Sequence, residues 1–400
     1  MNLQEHLCVF RRGVVDLVNE EELVKKLERS GSDGLRIKFG LDPSSRDLHL
    51  GHAVVLRKLS SLQELGHRVI LLVGEATAMV GDPSGRNKLR PQLTREEVKE
   101  NLKTYTEQAA IVLDMERTEV RYNTEWFDKM SFGDVLNLTA RMTVAQMIQR
   151  DTFQKRLGAC EPIGIHEFLY PLMQGWDSVE LKADVELGGT DQLFNLLVGR
   201  QLQEQVGQEP QIVITTPLIN GTDGRKMSKS YGNAIGLTDL SDDMFGKTMS
   251  MPDEDMAEWF ELLTSLESDE VTKILSGHPR AAKARLAQEV VSWLYGESVA
   301  VEARAEFDRR FVNRELPSDI PEHIYAADWP AEGVPLAVLL RDVGLVKSSS
   351  EARRLVGQGG VKVNGEAVRE PMTAMSPPED GLLLQVGKRR FVKVRLPQQQ

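Results

Sequence analysis

Residues 36–52 read RIKFGLDPSSRDLHLGH, and this stretch indicates how the fold begins. Residues 35–41 are mostly apolar and are closed by a glycine and a proline, which predicts a short buried strand. Residues 49–52 (HLGH) then open a helix in which apolar residues recur at helical spacing. The segment therefore predicts a strand, a loop and a helix, and the unpaired N–H groups at the start of that helix favour an anion.

Two histidines at the start of this helix, His49 and His52, lie three residues apart, so one helical turn directs both imidazoles to the same side. Gly51 lies between them without a side chain, which leaves the backbone open to a flat ligand. The combination favours a nucleotide. Two other interpretations stay open for this motif alone: a metal-binding pair, although no Cys or third His lies close by, and an ordinary helix start.

A second motif, KMSKS at residues 226–230, lies in the stretch GTDGRKMSKSYGN. Its lysines, Lys226 and Lys229, are flanked by glycines, which predicts a mobile cationic loop able to close on a polyphosphate. An isolated pair of lysines would more often form a solvated basic loop. The two motifs together, in this order, are much more specific than either alone.

Two further strands predict a parallel sheet around this unit. Residues 68–73 (RVILLV) are entirely apolar after the first position, and strand, helix and strand at this spacing form a right-handed βαβ unit. Ligands of such sheets bind at the carboxyl ends of the strands, where Asp82 would lie. Residues 185–192 (VELGGTDQ) predict another strand, which places Asp191 and Gln192 at its end, where their oxygens suit ribose hydroxyls.

A helical stretch carries three polar side chains on one face. Tyr170, Gln174 and Asp177 are spaced at i, i+4 and i+7. A hydroxyl, an amide and a carboxylate on one helix face can bind a polar ligand. The alternative is a partly exposed polar stripe.

Composition narrows the class of protein. A chain of 400 residues with 41% hydrophobic content can bury a large core and form two or three domains. Its two cysteines provide no disulfide framework, which favours a reducing compartment. Because no apolar run is long enough for a bilayer and the N-terminus has no signal-peptide core, we expect a soluble cytoplasmic protein without a membrane partner.

Charge is distributed unevenly along the chain. The whole chain carries −11, but residues 336–397 contain eleven Lys and Arg against six Asp and Glu. This tail predicts a small α+β module, with a helix capped by Ser348, an Asn-Gly hairpin at residues 364–365 and a basic strand at residues 388–395 (KRRFVKVR). Its basic face is either simply solvated or binds RNA, with an affinity that falls as salt rises.

With HLGH and KMSKS in this order, residues 35–396 resemble the class I aminoacyl-tRNA synthetases, and more closely the bacterial tyrosyl-tRNA synthetase family. The resemblance implies a Rossmann-like parallel-sheet catalytic domain at residues 1–220, with a helical insertion near residues 120–170 that forms a homodimer interface. It then implies a KMSKS loop and helical anticodon-binding domain at 221–315, a linker at 316–335 that four prolines also predict, and an RNA-binding module of the ribosomal-protein type at 336–397.

The activity that the resemblance implies is that of a tyrosine–tRNA ligase. Such an enzyme activates L-tyrosine with ATP to tyrosyl-adenylate and pyrophosphate, and then transfers tyrosine to the 3′-terminal ribose of tRNA(Tyr). Mg²⁺ accompanies the ATP, and the resemblance assigns no metal ligand to the protein.

The resemblance also assigns roles to individual residues. The catalytic residues would be His49, His52, Lys226 and Lys229. ATP would contact Ser44, Gly51, Asp191 and Ser230. Tyrosine would contact Gly40, Asp42, Asp82, Tyr170, Gln174, Asp177 and Gln192. RNA would contact Arg353, Arg354, Lys362 and Arg389.

One position departs from the family. Many tyrosyl enzymes have a tyrosine at the position of Lys38, where it is a second partner of the substrate phenol, so the role of Lys38 stays open. Asp177 would then carry specificity, because phenylalanine leaves its buried acceptor unpaired. The alternatives are a tryptophanyl-tRNA synthetase, another adenylyl-transferring ligase, and an RNA-binding dimer that has lost catalysis.

Overall fold

The computed structural model describes residues 2–43, 47–84, 94–312, 320–325, 329–330, 332–376, 381–387 and 390–396. The chain divides into two compact units, Met1–Phe307 and Asp308–Gln400.

The first unit is an α/β structure. Its helices, the last of which runs past the boundary, are α1 (Leu3–Arg11), α2 (Glu20–Ser30), α3 (Leu50–Glu64), α4 (Glu75–Val80), α5 (Arg95–Ala109), α6 (Thr124–Phe127), α7 (Phe132–Thr139), α8 (Val144–Met147), α9 (Asp151–Gly158), α10 (Leu169–Leu181), α11 (Leu193–Gln205), α12 (Ser241–Met249), α13 (Met256–Leu263), α14 (Ser268–Leu275), α15 (Pro279–Tyr295) and α16 (Glu297–Phe311). Its strands are β1 (Asp16–Val18), β2 (Arg36–Leu41), β3 (Arg68–Val73), β4 (Thr118–Tyr122), β5 (Val185–Gly189) and β6 (Ile212–Thr216). Short 3₁₀ helices occupy Ile165–Phe168, Thr190–Gln192, Lys229–Tyr231 and Asp253–Asp255.

The six strands form one sheet in the order β1-β6-β5-β2-β3-β4. All neighbours are parallel except β1, which pairs antiparallel with β6. Five of the six residues of β3 are buried, which explains its uninterrupted apolar sequence, because a parallel sheet is covered on both faces. The sheet confirms the predicted Rossmann-like fold class.

The N-terminal region contains a strand between two helices. Apolar residues at helical spacing over residues 1–34 predict a helical segment, but Asp16–Val18 forms the edge strand β1 between α1 and α2. Gly13 adopts a φ of +60°, a left-handed conformation that ends the preceding helical segment and turns the chain toward the sheet. The strand then pairs with residues 213–215, a partner almost two hundred positions away.

Helices α12, α13, α15 and α16 share one hydrophobic core with α1, α3 and the sheet. Buried Phe245, Trp259 and Leu286 belong to the same cluster as Leu56 and Leu187. The predicted domain boundary between residues 220 and 221 therefore falls inside one packed unit, and stays a prediction.

The second unit has its own core and a five-stranded sheet in the order β10-β9-β12-β13-β7, besides a β11-β8 pair. Its elements are β7 (Glu322–Ile324), β8 (Val334–Pro335), α17 (Leu336–Asp342), α18 (Ser349–Gly357), β9 (Val361–Val363), β10 (Glu366–Ala367), β11 (Ala374–Met375), β12 (Leu382–Val386) and β13 (Arg390–Arg395). Ser348 caps α18, accepting a hydrogen bond from the N–H of Glu351 at 3.2 Å. Asn364 and Gly365 both have positive φ in the two-residue β9–β10 turn, as the Asn-Gly sequence predicted.

The predicted linker at residues 316–335 contains regular structure. Strand β7 lies inside it and pairs parallel with β13, so Glu322–Ile324 belongs to the sheet of the second unit. Its three residues are too few to show a period, which is why the proline content alone pointed to a linker.

Candidate active site

The two histidines cap helix α3. His49 is the N-cap residue, and its Nδ1 accepts a hydrogen bond from the N–H of Gly51 at 3.1 Å. The Nδ1 of His52 accepts from the N–H of His49 at 3.3 Å, and the ring centroids are 4.1 Å apart. A Cβ on residue 51 would fall 2.9 Å from the His49 ring. The absence of a side chain at Gly51 therefore allows the His49 imidazole to pack against the first turn of α3.

Both imidazoles are neutral near pH 7. Burial, the neighbouring His52 and the lysines of the KMSKS motif lower the pKa of His49 to about 2. Burial and the same lysines lower the pKa of His52 to about 4. Because each Nδ1 accepts a backbone hydrogen bond, the proton of each neutral ring lies on Nε2. The start of α3 therefore carries two Nε2–H donors without a fixed charge.

The KMSKS loop, residues 221–233, is anchored by Met227. This side chain is buried, and its N–H donates to the carbonyl of Ile219 at 2.9 Å. Lys226 Nζ lies 2.9 Å from Asp191 Oδ2, and Lys229 Nζ pairs with Asp47. The loop thus holds both ammonium groups against carboxylates that flank the sheet's carboxyl edge.

Asn233, which sequence reasoning did not single out, organises this loop. Its side chain is buried at 2% exposure. Oδ1 accepts from the N–H of Ser228 at 2.8 Å, and Nδ2 lies 2.6 Å from Asp223 Oδ1, 3.1 Å from the carbonyl of Arg225 and 3.2 Å from that of Lys226. One amide therefore connects both arms of the loop.

The three polar residues of α10 lie on a buried face. Tyr170 and Asp177 are buried, and Tyr170 Oη donates to Asp42 Oδ2 at 2.7 Å. Gln174 Oε1 accepts from Asn195 Nδ2 at 2.9 Å. The alternative of an exposed polar stripe is therefore excluded for Tyr170 and Asp177. Burial and Asp42 raise the pKa of the Tyr170 phenol well above its ordinary value, so this phenol stays protonated as a donor.

Asp82 is tied to the strand-β5 side of the site. Its carboxylate accepts from Gln192 Nε2 at 2.9 Å and from the N–H of Ser84 at 2.8 Å, and Arg150 Nη2 lies 3.4 Å away. Gln192 Oε1 accepts from Asn195, which also donates to Gln174. A chain of hydrogen bonds thus connects Asp82 to α10.

Asp177 is a fully buried carboxylate with two donors. Its Oδ1 accepts from Trp126 Nε1 at 3.0 Å, and its Oδ2 lies 3.4 Å from Asn123 Nδ2. Burial raises the pKa of Asp177 to about 8, while Lys38, Trp126 and Asn123 act in the opposite direction. The carboxyl group is therefore mostly protonated at pH 7, and its charged form predominates only above about pH 8.

Other predicted site residues are placed as follows. Gly40 lies in β2, where a Cβ would meet nothing within 4 Å, and Ser230 lies exposed in the turn Lys229–Tyr231. Arg353 and Arg354 are exposed on α18, and Lys362 is exposed on β9, in the second unit. Ser44 and Arg389 lie outside the described residues.

The described residues hold neither a metal cluster nor a membrane-spanning helix. In these ranges, no three His, Cys, Asp or Glu side chains form a group that could hold a metal ion. Among the described helices, none combines the length and apolarity needed to cross a membrane.

Comparisons with known proteins agree with this geometry. Residues 31–312 match the model of the family "tRNA synthetases class I (W and Y)", and residues 334–373 match the S4 domain. The chain is 49% identical over 401 residues to a tyrosine–tRNA ligase of Thermotoga maritima, covering 98% of both proteins. It is 47% identical to that of Syntrophotalea carbinolica, again covering 98% of both.

Solved structures give the same result. A C-terminally truncated mitochondrial tyrosyl-tRNA synthetase from Aspergillus nidulans matches with a TM-score of 0.64 and 25% identity, covering 77% of this chain and 94% of that one. The chain therefore belongs to the class I tRNA synthetases (W and Y).

Proposed function

We infer that this chain is a tyrosine–tRNA ligase, which joins tyrosine to tRNA(Tyr) through a tyrosyl-adenylate. The observation that carries the substrate is the buried face of α10, where the carboxylate of Asp177 lies beyond the hydroxyl of Tyr170 and the amide of Gln174. High identity to tyrosine–tRNA ligases over almost the whole chain supports the activity.

We propose that tyrosine binds along this face. Its α-ammonium needs acceptors and negative charge, which Tyr170 Oη, Gln174 Oε1 and Asp82 supply. Asp42 fixes the Tyr170 hydroxyl and Gln192 fixes Asp82, so both act mainly by orientation. The open space above Gly40 and the remaining lone pairs of Asp177 then receive the ring and its phenol.

ATP would lie between the start of α3 and the KMSKS loop. The two Nε2–H groups of His49 and His52 donate to phosphate oxygens without the desolvation cost of a fixed cation. Lys226 and Lys229 exchange their carboxylate partners for the β- and γ-phosphates, which frees Asp191 to accept from the ribose. The main chain at Gly51 and the hydroxyls of Ser44 and Ser230 complete this proposed set. Mg²⁺ would enter with the ATP.

In this mechanism no side chain acts as a nucleophile. A carboxylate oxygen of tyrosine attacks the α-phosphorus, the bond from that phosphorus to the bridging oxygen breaks, and pyrophosphate leaves. A hydroxyl of the terminal ribose of tRNA then attacks the tyrosyl carbonyl, and AMP leaves. Catalysis is positioning and charge stabilisation, to which one hydrogen-bond donor commonly contributes about 10²–10³ in rate.

We further propose a cytoplasmic homodimer that is formed through the helical insertion. This segment exposes the large apolar side chains of Phe132 (77%), Leu136, Val144, Leu157 and Ile165 (84%). Such concentration of exposed apolar surface is typical of an interface. The basic residues Arg353, Arg354, Lys362 and Arg389 of the second unit would contact tRNA phosphates.

The test is amino-acid-dependent exchange of pyrophosphate into ATP with tyrosine, phenylalanine and tryptophan. We expect exchange with tyrosine. Exchange with tryptophan alone would contradict tyrosine as the substrate. Absence of exchange with all three amino acids would contradict the proposed activity.

Asp177→Asn tests the proposed phenol contact. It should lower kcat/KM for tyrosine by about tenfold to a hundredfold, the range of a hydrogen bond to a charged group, and shrink the preference over phenylalanine. Glu180→Gln is the matched control, because it neutralises an exposed carboxylate on the same helix.

A further inference from the structure

Lys38 is a buried cation that the proposed mechanism does not use. It lies in the middle of β2 with a fully buried side chain. Its Nζ is 2.8 Å from Glu186 Oε1, 2.9 Å from the carbonyl of Gln174 and 2.8 Å from Ser178 Oγ. An ammonium has three N–H donors, so these three acceptors use all of them. Lys38 therefore cannot donate to a substrate phenol without losing a buried partner.

Glu186 completes the pair from the neighbouring strand. It lies directly opposite Lys38 in the β2–β5 register and is 1% exposed. Its Oε2 accepts from Ser178 Oγ at 3.0 Å and from Gln211, and its Oε1 lies 3.4 Å from Gln174 Nε2. A buried ion pair whose hydrogen bonds are all made is compatible with folding, whereas one uncompensated charge at this position would strongly destabilise the protein.

The pair acts on the turn of α10 that bears Asp177. Gln174 and Ser178 lie three residues before and one residue after Asp177, and the Lys38 ammonium joins both to β2. We propose that Lys38 is a positioning residue for the phenol pocket, which holds the Asp177 turn against β2 and supplies a positive charge that favours the anionic form of Asp177. This inference rests on the proposed role of Asp177.

The charges around Asp177 determine in which direction each substitution moves its pKa. Lys38 of β2 favours the carboxylate, and Glu186 of β5 opposes it. Trp126 of α6 and Asn123 before that helix donate to it, while Tyr170 of α10 is a neutral phenol. Since burial already brings the pKa of Asp177 to about 8, removing the ammonium should raise it and removing the Glu186 charge should lower it.

The experiment measures kcat/KM for tyrosine in pyrophosphate exchange between pH 6 and 10 with the full chain. Wild-type activity should rise with pH to a midpoint near 8, the value for Asp177 in the free enzyme. Lys38→Met should move the midpoint up by about one unit, a tenfold loss on the acid side, and Glu186→Gln should move it down. Lys38→Met should also shrink the preference for tyrosine over phenylalanine.

Two further measurements separate this role from a purely structural one. The double variant Lys38→Met with Glu186→Gln leaves no unpaired buried charge, so it keeps the test available if Lys38→Met alone does not fold. Because its two charge effects on Asp177 oppose each other, its readout is a smaller preference for tyrosine over phenylalanine, not the midpoint. KM for ATP should stay unchanged in every variant. In one outcome, the wild type exchanges with tyrosine while the variants show its pH midpoint and its preference for tyrosine over phenylalanine. That result would overturn the role of Lys38 and leave the proposed function standing. Absence of wild-type exchange would instead overturn the function.

Discussion

At the scale of single residues, backbone hydrogen bonds decide what the histidines can do. Each Nδ1 of His49 and His52 is occupied by an N–H group of the first turn of α3. A histidine cation there would place an N–H against an N–H and add charge beside two lysines. The neutral ring is therefore the form present near pH 7, and the helix start carries directed donors instead of charge.

The tautomer and the protonation state of these rings can be measured. We expect ¹⁵N spectra of histidine-labelled protein to show both rings neutral with the proton on Nε2 from pH 8 down to about pH 5, because their folded pKa values lie near 2 and 4. His49→Asn and His52→Asn variants assign the signals. Imidazolium signals from either residue at pH 6 would contradict the neutral form.

The same shifts affect stability. An unfolded histidine binds its proton near pH 6.5, above the folded values, so unfolding takes up protons below that pH. Their contribution is fully present above pH 6.5 and is lost as the pH falls toward 4 for His52 and toward 2 for His49. Urea unfolding between pH 7 and 5 should show a smaller decline in the free energy of unfolding for His49→Asn and His52→Asn than for the wild type.

At the scale of elements, the KMSKS loop depends on a side chain outside its motif. The amide of Asn233 holds the main chain on both sides of Lys226 and Met227. Removing it leaves part-buried loop groups without their partner, at a cost of about 1–3 kcal/mol. The loop should then adopt several conformations, of which the observed one is only a part.

Asn233→Ala should therefore lower kcat for adenylate formation by about fivefold to a hundredfold, the equivalent of that free energy, with little change in KM for tyrosine. Tyrosine is spared because none of its proposed contacts lies in this loop. Tyr231→Phe is the matched control, since it removes only a hydroxyl from the same loop. Stopped-flow measurement of adenylate formation separates the two constants, and an unchanged kcat in Asn233→Ala would refute the role of this residue.

An element can be predicted from the sequence when the residues that determine it lie close together along the chain. Strand β3 and the α10 face were predicted because burial leaves a continuous or periodic pattern within a few residues. Strand β1 was missed because only its partner β6 makes it a strand. In the site, the helix-start histidines followed from spacing, whereas the Lys38–Glu186 pair required knowing which strands are neighbours.

At the scale of the whole molecule, exposed apolar surface identifies the proposed dimer interface. Phe132 and Ile165 are among the most exposed large apolar side chains of the described residues. Phe132→Asp with Ile165→Asp should raise the dimer dissociation constant by about a hundredfold or more, because each would bury an unpaired charge. Sedimentation equilibrium measures it, and Leu240→Asp, exposed at 74% outside the insertion, is the control. A monomeric wild type, or equal dissociation constants in all three proteins, would refute the interface.

Charge identifies the basic face of the second unit as the proposed tRNA-binding surface. The chain as a whole repels nucleic acid, with a net charge of −11, so tRNA binding needs local cations. Arg353, Arg354 and Lys362 are exposed on one helix and one strand of this unit. Replacing each by Ala should weaken tRNA binding and reduce the slope of log K against log[salt] by about one for each phosphate that is no longer neutralised.

The measurement is a salt titration of tRNA binding for the wild type and the triple variant, together with pyrophosphate exchange. Exchange should stay unchanged, because adenylate formation needs no tRNA. Arg341→Ala is the control, since this arginine is paired with Asp342 at 2.6 Å and is not expected to neutralise a phosphate. A triple variant with the wild-type salt slope would place the tRNA phosphates on another surface, because the number of released counterions reflects only the phosphates that the protein neutralises.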